Sequence, residues 1–309
     1  MAEPLLPPEL LLEISSGLLT PPSLHPFDPS ARIADIATCR ALSQSCRVFR
    51  SIFLPHLWSR LDVFFTGNGT HLEQKMREVS QAQYLLDYVK TISLSLHGPA
   101  LNTSHRAATF LACMKACPNL DAVSITSMSV DRPIGLQAPG TFKYLYTAFQ
   151  LHSFPSVRVL RLPDILAPII SSFPRVRAIR CGEDRPTDGF RLIQAAKDCR
   201  SSLEEVYYAG FSRVIIGWIA VTTPNIQRLI LRCTLLETDF AFMRMMTNLC
   251  YLEFAHREAT NPGYPSLEEC VRDARDLLSI SHNPKPKKIY IKTLTGEDTM
   301  LAETVIDLP

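Results

Sequence analysis

The sequence has almost no net charge: 32 Lys and Arg against 30 Asp and Glu leave a formal +2. A balance that near zero gives no general attraction to nucleic acid or to an anionic membrane surface. Long apolar runs are also missing. The longest, residues 214–221, is far short of the ~20 residues that span a bilayer. The N-terminus has no basic start, and Glu9 and Glu13 interrupt its leucines, so no secretory signal is expected. No pair of the nine cysteines has C-x-x-C spacing, and no cluster of them lies near histidine. Most, such as Cys113, Cys117, Cys181, Cys199 and Cys250, sit inside apolar patterns, where cysteine behaves as a small buried hydrophobe. Reduced thiols of the cytosol or nucleus are expected, not a disulfide frame or a zinc site. The eight histidines are scattered. No H-E-x-x-H, G-x-S-x-G or Gly-rich phosphate-loop pattern occurs. No catalytic residue, cofactor or metal is therefore assigned. Asn68 and Asn102 fit the glycosylation acceptor pattern, which without a secretory signal is read as chance.

What the chain does have begins with two helical stretches. Pro7 and Pro8 stand where a first helix would start, a position that tolerates proline because its missing N–H has no partner there. Leu10, Leu11, Ile14 and Leu18 follow at helical spacing, and Pro21 and Pro22 stop the run. A second stretch carries Ile33, Ile36, Cys39, Leu42, Cys46, Phe49 and Phe53 in steps of three or four, with Pro55 expected to end it. Leu57, Trp58 and Leu61 close the module. A core of this size is marginal alone, so periodicity by itself is equally compatible with a small helical cap on whatever follows.

The residues Leu6-Pro7, Glu9-Leu10-Leu11, Ile14, Leu42, Cys46-Arg47, Phe49-Arg50 and Leu57-Trp58 resemble, in order, the F-box, most closely that of the fungal F-box proteins. The chain departs from that pattern in a long proline-rich loop at residues 20–30 and in Phe49, where many members have Trp. The resemblance implies that Leu6, Pro7, Leu10, Ile14, Leu42, Cys46, Phe49, Leu57 and Trp58 bind a Skp-family adaptor and, through it, a cullin scaffold.

From residue 89 one short pattern returns: apolar, two variable, apolar, one variable, apolar. It is carried by Val89, Ile92 and Leu94, by Leu120, Val123 and Ile125, by Val157, Leu160 and Leu162, and by Val176, Ile179 and Cys181. It continues with Leu203, Val206 and Tyr208, with Ile226, Leu229 and Leu231, and with Leu249, Leu252 and Phe254. A weaker copy at Pro286, Ile289 and Ile291 ends the series. Residues two apart on a strand face the same side, so the last two apolar positions point inward together. Helical segments are expected between copies, at 106–116, 164–172, 190–199, 213–221, 236–246 and 267–280. Pro118, Pro155, Pro174 and Pro224 each precede a strand, ending the helix and turning the chain. One such unit cannot bury its apolar face alone, so the units must stack.

These copies resemble the leucine-rich repeats of F-box proteins over residues 85 to about 292, although the asparagine that usually follows the strand is mostly absent. A generic α/β domain with a parallel sheet is the other reading of the same pattern. The resemblance implies an α/β fold: residues 1–62 an F-box-like helical module, 63–84 a connection, and 85–309 a solenoid with its parallel sheet on the concave face. The variable strand positions would then line that face. They include Ser93, Ser124, Glu205, Ile230 and Glu253 together with Arg161, Arg180, Tyr207, Arg228, Arg232, Tyr251 and Tyr290. Arg and Tyr are the residue types that most often carry binding energy, and these seven are the candidate target-binding residues.

The reading that follows is the substrate-recognition subunit of an SCF-type ubiquitin ligase, not itself an enzyme. It would hold an unknown target protein near chemistry supplied by others, with no nucleic-acid or membrane partner. A scaffold that binds the adaptor but delivers no target stays open, as does an enzyme whose site assembles from distant residues. Lys285, Lys287 and Lys288 are read as a solvated strand entry rather than an import patch. The stretch Lys292 to Gly296, similar to the first hairpin of ubiquitin, is read as a hairpin-like tail.

Overall fold

The computed structural model describes residues 33–65, 81–96, 104–127, 142–181, 189–199, 202–210, 212–257, 265–294 and 300–308, with Gln74 and Val79. Its α/β chain divides into two compact units, Met1–Ala148 and Phe149–Pro309.

In the first unit, α1 (Ile33–Ser45) and α2 (Arg47–Trp58) pack on one another. The expected single helix is thus two. Cys46 breaks it, adopting an extended backbone (φ −156°, ψ 168°) and capping α2 by accepting the Phe49 N–H on its Sγ at 3.4 Å. Pro55 does not end α2 but lies inside it. A proline within a helix costs ~3 kcal/mol; burial of Phe53 and partial burial of Leu54, Leu57 and Trp58 on the continuing turn offset that cost. Three strands follow: β1 (Arg60–Phe65), β2 (Thr91–Leu96) and β3 (Ala122–Ser127), with α3 (Gln83–Leu86) and α4 (Ser104–Ala116) between them. They pair in parallel, Leu61 with Ile92 and Ile92 with Val123. α5 (Lys143–Gln150) spans the division between the units.

The second unit repeats this scheme. Its strands are β4 (Val159–Arg161), β5 (Ala178–Cys181), β6 (Glu205–Tyr208), β7 (Arg228–Leu231), β8 (Tyr251–Arg257) and β9 (Lys287–Leu294), each parallel to the next. Between them come a 3-10 helix (Asp164–Ser172), α6 (Phe190–Ala195) with its 3-10 extension (Ala196–Cys199), α7 (Arg213–Thr222), α8 (Glu237–Met243) and α9 (Leu267–Ser279). β10 (Met300–Leu308) turns back antiparallel to β9, which makes the expected hairpin-like tail. Because the strand order advances in one direction, right-handed crossovers put every connection on the same face of the sheet. Each helix accordingly packs on its successor, α6 on α7, α7 on α8 and α8 on α9.

The repeated triads make the core. Every apolar position of the eight copies except Pro286 is buried. The middle positions stand in one row across the second unit: Leu160, Ile179, Val206, Leu229, Leu252 and Ile289. The prolines act in tight turns that close on the first position of the triad. Val157 N–H donates to the Phe154 carbonyl, Val176 to Phe173 and Ile226 to Thr223, at 3.2, 3.2 and 3.3 Å. Pro155, Pro174 and Pro224 each take the second turn position, where a fixed φ near −65° is favourable.

A second backbone device recurs beside each turn. The carbonyl following the first apolar residue accepts two successive N–H groups from the next unit. Arg158 accepts from Arg177 and Ala178 (2.7 and 3.0 Å), Arg177 from Glu204 and Glu205 (2.7 and 2.9 Å), Glu204 from Gln227 and Arg228 (2.8 and 3.0 Å), and Gln227 from Cys250 and Tyr251 (2.8 and 3.0 Å). Lys90 and Ser59 do the same in the first unit. The Ser59 bond reveals a copy of the pattern that the sequence reading missed: Trp58, Leu61 and Val63, the last two buried, on β1.

Candidate functional site

The strands β4 to β9 bring six of the seven expected target-binding residues together in two rows on the face turned from the core, Arg232 lying one residue beyond β7. In one row Arg161, Arg180, Tyr207, Ile230, Glu253 and Tyr290 are register partners on successive strands. In the other, Glu205, Arg228, Tyr251 and Lys288 follow one another. The alternation that buries Leu229 and Leu231 on one side obliges Arg228 and Ile230 to the other.

These side chains bind one another. The Arg180 guanidinium lies over the Tyr207 ring at 4.0 Å, and that of Arg232 stands 5.7 Å from the same ring centre. Arg228 lies over Tyr251 at 4.5 Å and approaches the Glu205 carboxylate at 3.0 Å. Tyr251 donates its phenol proton to Glu253 at 2.8 Å, and Lys292 donates to the other oxygen of Glu253 at the same distance. Lys292 also stands 5.3 Å from the Tyr290 ring centre.

The face is therefore drier than a solvated groove. Tyr207, Ile230, Glu253 and Arg180 are buried, Arg161, Arg228, Tyr251 and Tyr290 half-buried, and Arg232 exposed. In the first unit, Ser93 and Ser124 are buried as well. Burial pushes the Glu205 carboxyl above its ordinary range, with the nearby Arg228 only partly opposing this. Burial raises the Tyr207 phenol, burial and the Glu253 carboxylate raise that of Tyr251, and burial and Glu303 raise that of Tyr290. All three tyrosines thus remain neutral hydrogen-bonding groups with flat apolar faces.

The sequence reading missed Lys292 as a member of this face. Its signal was its place two residues beyond Tyr290 on the same strand, hence on the same side. The closing of Glu205 on Arg228 and of Glu253 on Lys292 is a matter of cross-strand neighbours, which no single strand pattern encodes.

Of the expected adaptor-binding residues, Leu6, Pro7, Leu10 and Ile14 lie outside the described residues. Leu42 and Phe49 are half-buried on α1 and α2, with the Phe49 ring 5.9 Å from that of Phe53. Cys46, Leu57 and Trp58 line a cavity of about 860 Å³ together with Arg40, Arg47 and Arg50. Cys46 is the one exposed thiol; the other eight cysteines are buried, and none of the nine is in a disulfide. Among the described residues no group of three or more His, Cys, Asp or Glu side chains could hold a metal ion, and no helix is long and apolar enough to cross a membrane.

Comparison with protein-family models gives no match for this chain, and no curated protein matches it.

Proposed function

We propose that the chain is a target receptor of an SCF-type ubiquitin ligase, built as an N-terminal F-box followed by leucine-rich repeats stacked into a solenoid. The observation that carries this reading is the row Arg161, Arg180, Tyr207, Ile230, Glu253 and Tyr290, one residue per strand on the face turned from the core. Such a row offers flat aromatic and guanidinium surfaces, already fixed against one another, to a protein segment laid across the strands. Neutral phenols and internally paired carboxylates supply hydrogen bonds and stacking area and no nucleophile. That chemistry suits binding rather than bond breaking. The F-box-like residues of the N-terminal stretch, with Leu42, Cys46, Phe49, Leu57 and Trp58 on the helix pair, supply the adaptor contact. The receptor's contribution is proximity, raising the concentration of the target's lysines at an active site supplied by its partners. Nine cysteines outside any disulfide accord with the reducing cytosol or nucleus.

The test is affinity purification of the full chain with identification of bound proteins, followed by ubiquitin transfer to any co-purified target. Recovery of a Skp-like adaptor and a cullin, with transfer, is the expected result. Adaptor recovery without transfer would leave a scaffold, and recovery of neither would remove the reading.

A further inference from the structure

We propose that β10 is a self-association edge: two copies of this chain join β10 to β10, antiparallel, about a two-fold axis perpendicular to the sheet. Among the described residues β10 pairs on one side only, with β9, so the other side of a nine-residue strand presents backbone N–H and C=O groups in open sequence. Protein edges are ordinarily guarded by lysine, proline, an inward-pointing charge or a bulge. The stretch Met300–Leu308 contains no lysine, arginine, proline or glycine, and its register shift lies at its entry, between Met300 and Ala302, leaving 302–308 regular. On its core side Thr304 and Ile306 stand opposite Ile291 and Ile289 of β9. Those two isoleucines are fully buried, whereas Ile306 is only half-buried, so the apolar layer ends open at this strand. Val305, on the other side, is 47% exposed.

A second copy is the occupant that the charges favour. The strand's two charged residues are both acidic, Glu303 and Asp307, and each is the register partner of a lysine of its own β9, Lys292 and Lys288. The Lys288 ammonium reaches Asp307 at 3.7 Å. Asp307 is thus answered by Lys288, and Glu303 by the Tyr290 phenol that donates to it, so the edge needs no basic partner strand. In a two-fold sheet, opposed residues must share a face, which permits only registers centred on a residue. Centring on Val305 would set Glu303 against the partner's Asp307. Centring on Thr304 avoids that, placing Glu303 against the partner's Val305 and Ile306 against the partner's Ala302. In this arrangement the sheet continues from one copy to the other with both helical layers on the same side.

The test is sedimentation of the full chain across a concentration series, with two variants. Ile306→Lys inserts the inward charge that natural edges use; it should raise the dimer dissociation constant by about 100-fold or more while its thermal midpoint, read in parallel, shows a folded chain. Thr304→Cys, made with Cys46→Ser so that no other exposed thiol competes, should give an intermolecular disulfide under mild oxidation, because the two Thr304 positions face each other at the axis. A chain that stays monomeric up to about 100 µM overturns the proposal. So does a dimer that Ile306→Lys leaves intact or that Thr304→Cys does not cross-link, since its interface would lie elsewhere.

Discussion

Arg180 lies face-on over the ring of Tyr207 at 4.0 Å, and the two are direct register partners on β5 and β6. The phenol ring fixes the guanidinium in place, and the guanidinium closes the ring from water. Both residues are buried as a result, although each stands on the face turned from the core.

Removing that ring should unfold more than a surface contact would. Tyr207→Ala is expected to cost about 3 kcal/mol of stability, as for other buried aromatics. Tyr207→Phe, which keeps the stack and loses only the hydroxyl, should stay within roughly 1 kcal/mol of the original. Urea unfolding of the two variants measures the difference. Equal losses would show that the hydroxyl, not the stacked face, holds the pair.

Target capture should depend on the arginines of this face. Arg161→Glu, Arg180→Glu and Arg232→Glu together are expected to abolish capture while adaptor binding is unchanged. Arginine forks bind carboxylate or phosphate through two parallel hydrogen bonds, so the expected target segment is acidic or phosphorylated and carries some apolar side chains. A pull-down of target and adaptor from the same preparation checks both halves. Undiminished capture would move the target site off this face.

Adaptor binding is assigned to a separate set. Leu6→Ala with Pro7→Ala should weaken it by about 10-fold or more, the usual cost of truncating apolar anchors in a helix-in-groove contact. Calorimetric titration reads the affinity. Circular dichroism of the same variant distinguishes a lost contact from a lost helix.

Glu205 gives a pH signature. Its folded pKa is raised above the ordinary 4.5 by burial, so between those two values the folded chain binds more protons than the unfolded one. Stability therefore falls as pH rises through that interval, and the penalty is fully present above the folded pKa. Glu205→Gln should flatten the stability profile just above pH 4.5. Chemical unfolding at a series of mildly acidic pH values is the measurement. A profile that keeps its slope would assign the proton to another group.

Much of the fold was legible in the sequence because burial imposes a period. Ile92 and Leu94, or Leu229 and Leu231, could be read as inward pairs from spacing alone, and the strand each predicts is present. The helical segment expected at 164–172 matches Asp164–Ser172, although it is a 3-10 helix carrying Pro168. Less legible were features decided by neighbours. Trp58, Leu61 and Val63 were hidden because two of them also fit the end of a helical module. Pro55 was read as a stop because a proline's local cost is visible in sequence, while the packing that outweighs it is not. Glu253 reads from the sequence as one more residue of the concave face, and its burial depends on Lys292, which reaches it from β9, together with Tyr251 of its own strand.

The shared carbonyls of Arg158, Arg177, Glu204 and Gln227 work as a ruler that ignores contour length. Each fixes where the next strand begins by grasping two consecutive amides at its entry, whatever the chain has done since leaving the previous strand. The triads they join start 19 to 27 residues apart, yet their strands align without slippage. Lengthening one connection costs only a slowly growing closure entropy, and the amide clasp returns the chain to phase. The architecture can therefore acquire new loops one unit at a time, each free to take on a separate role, without any change reaching the sheet.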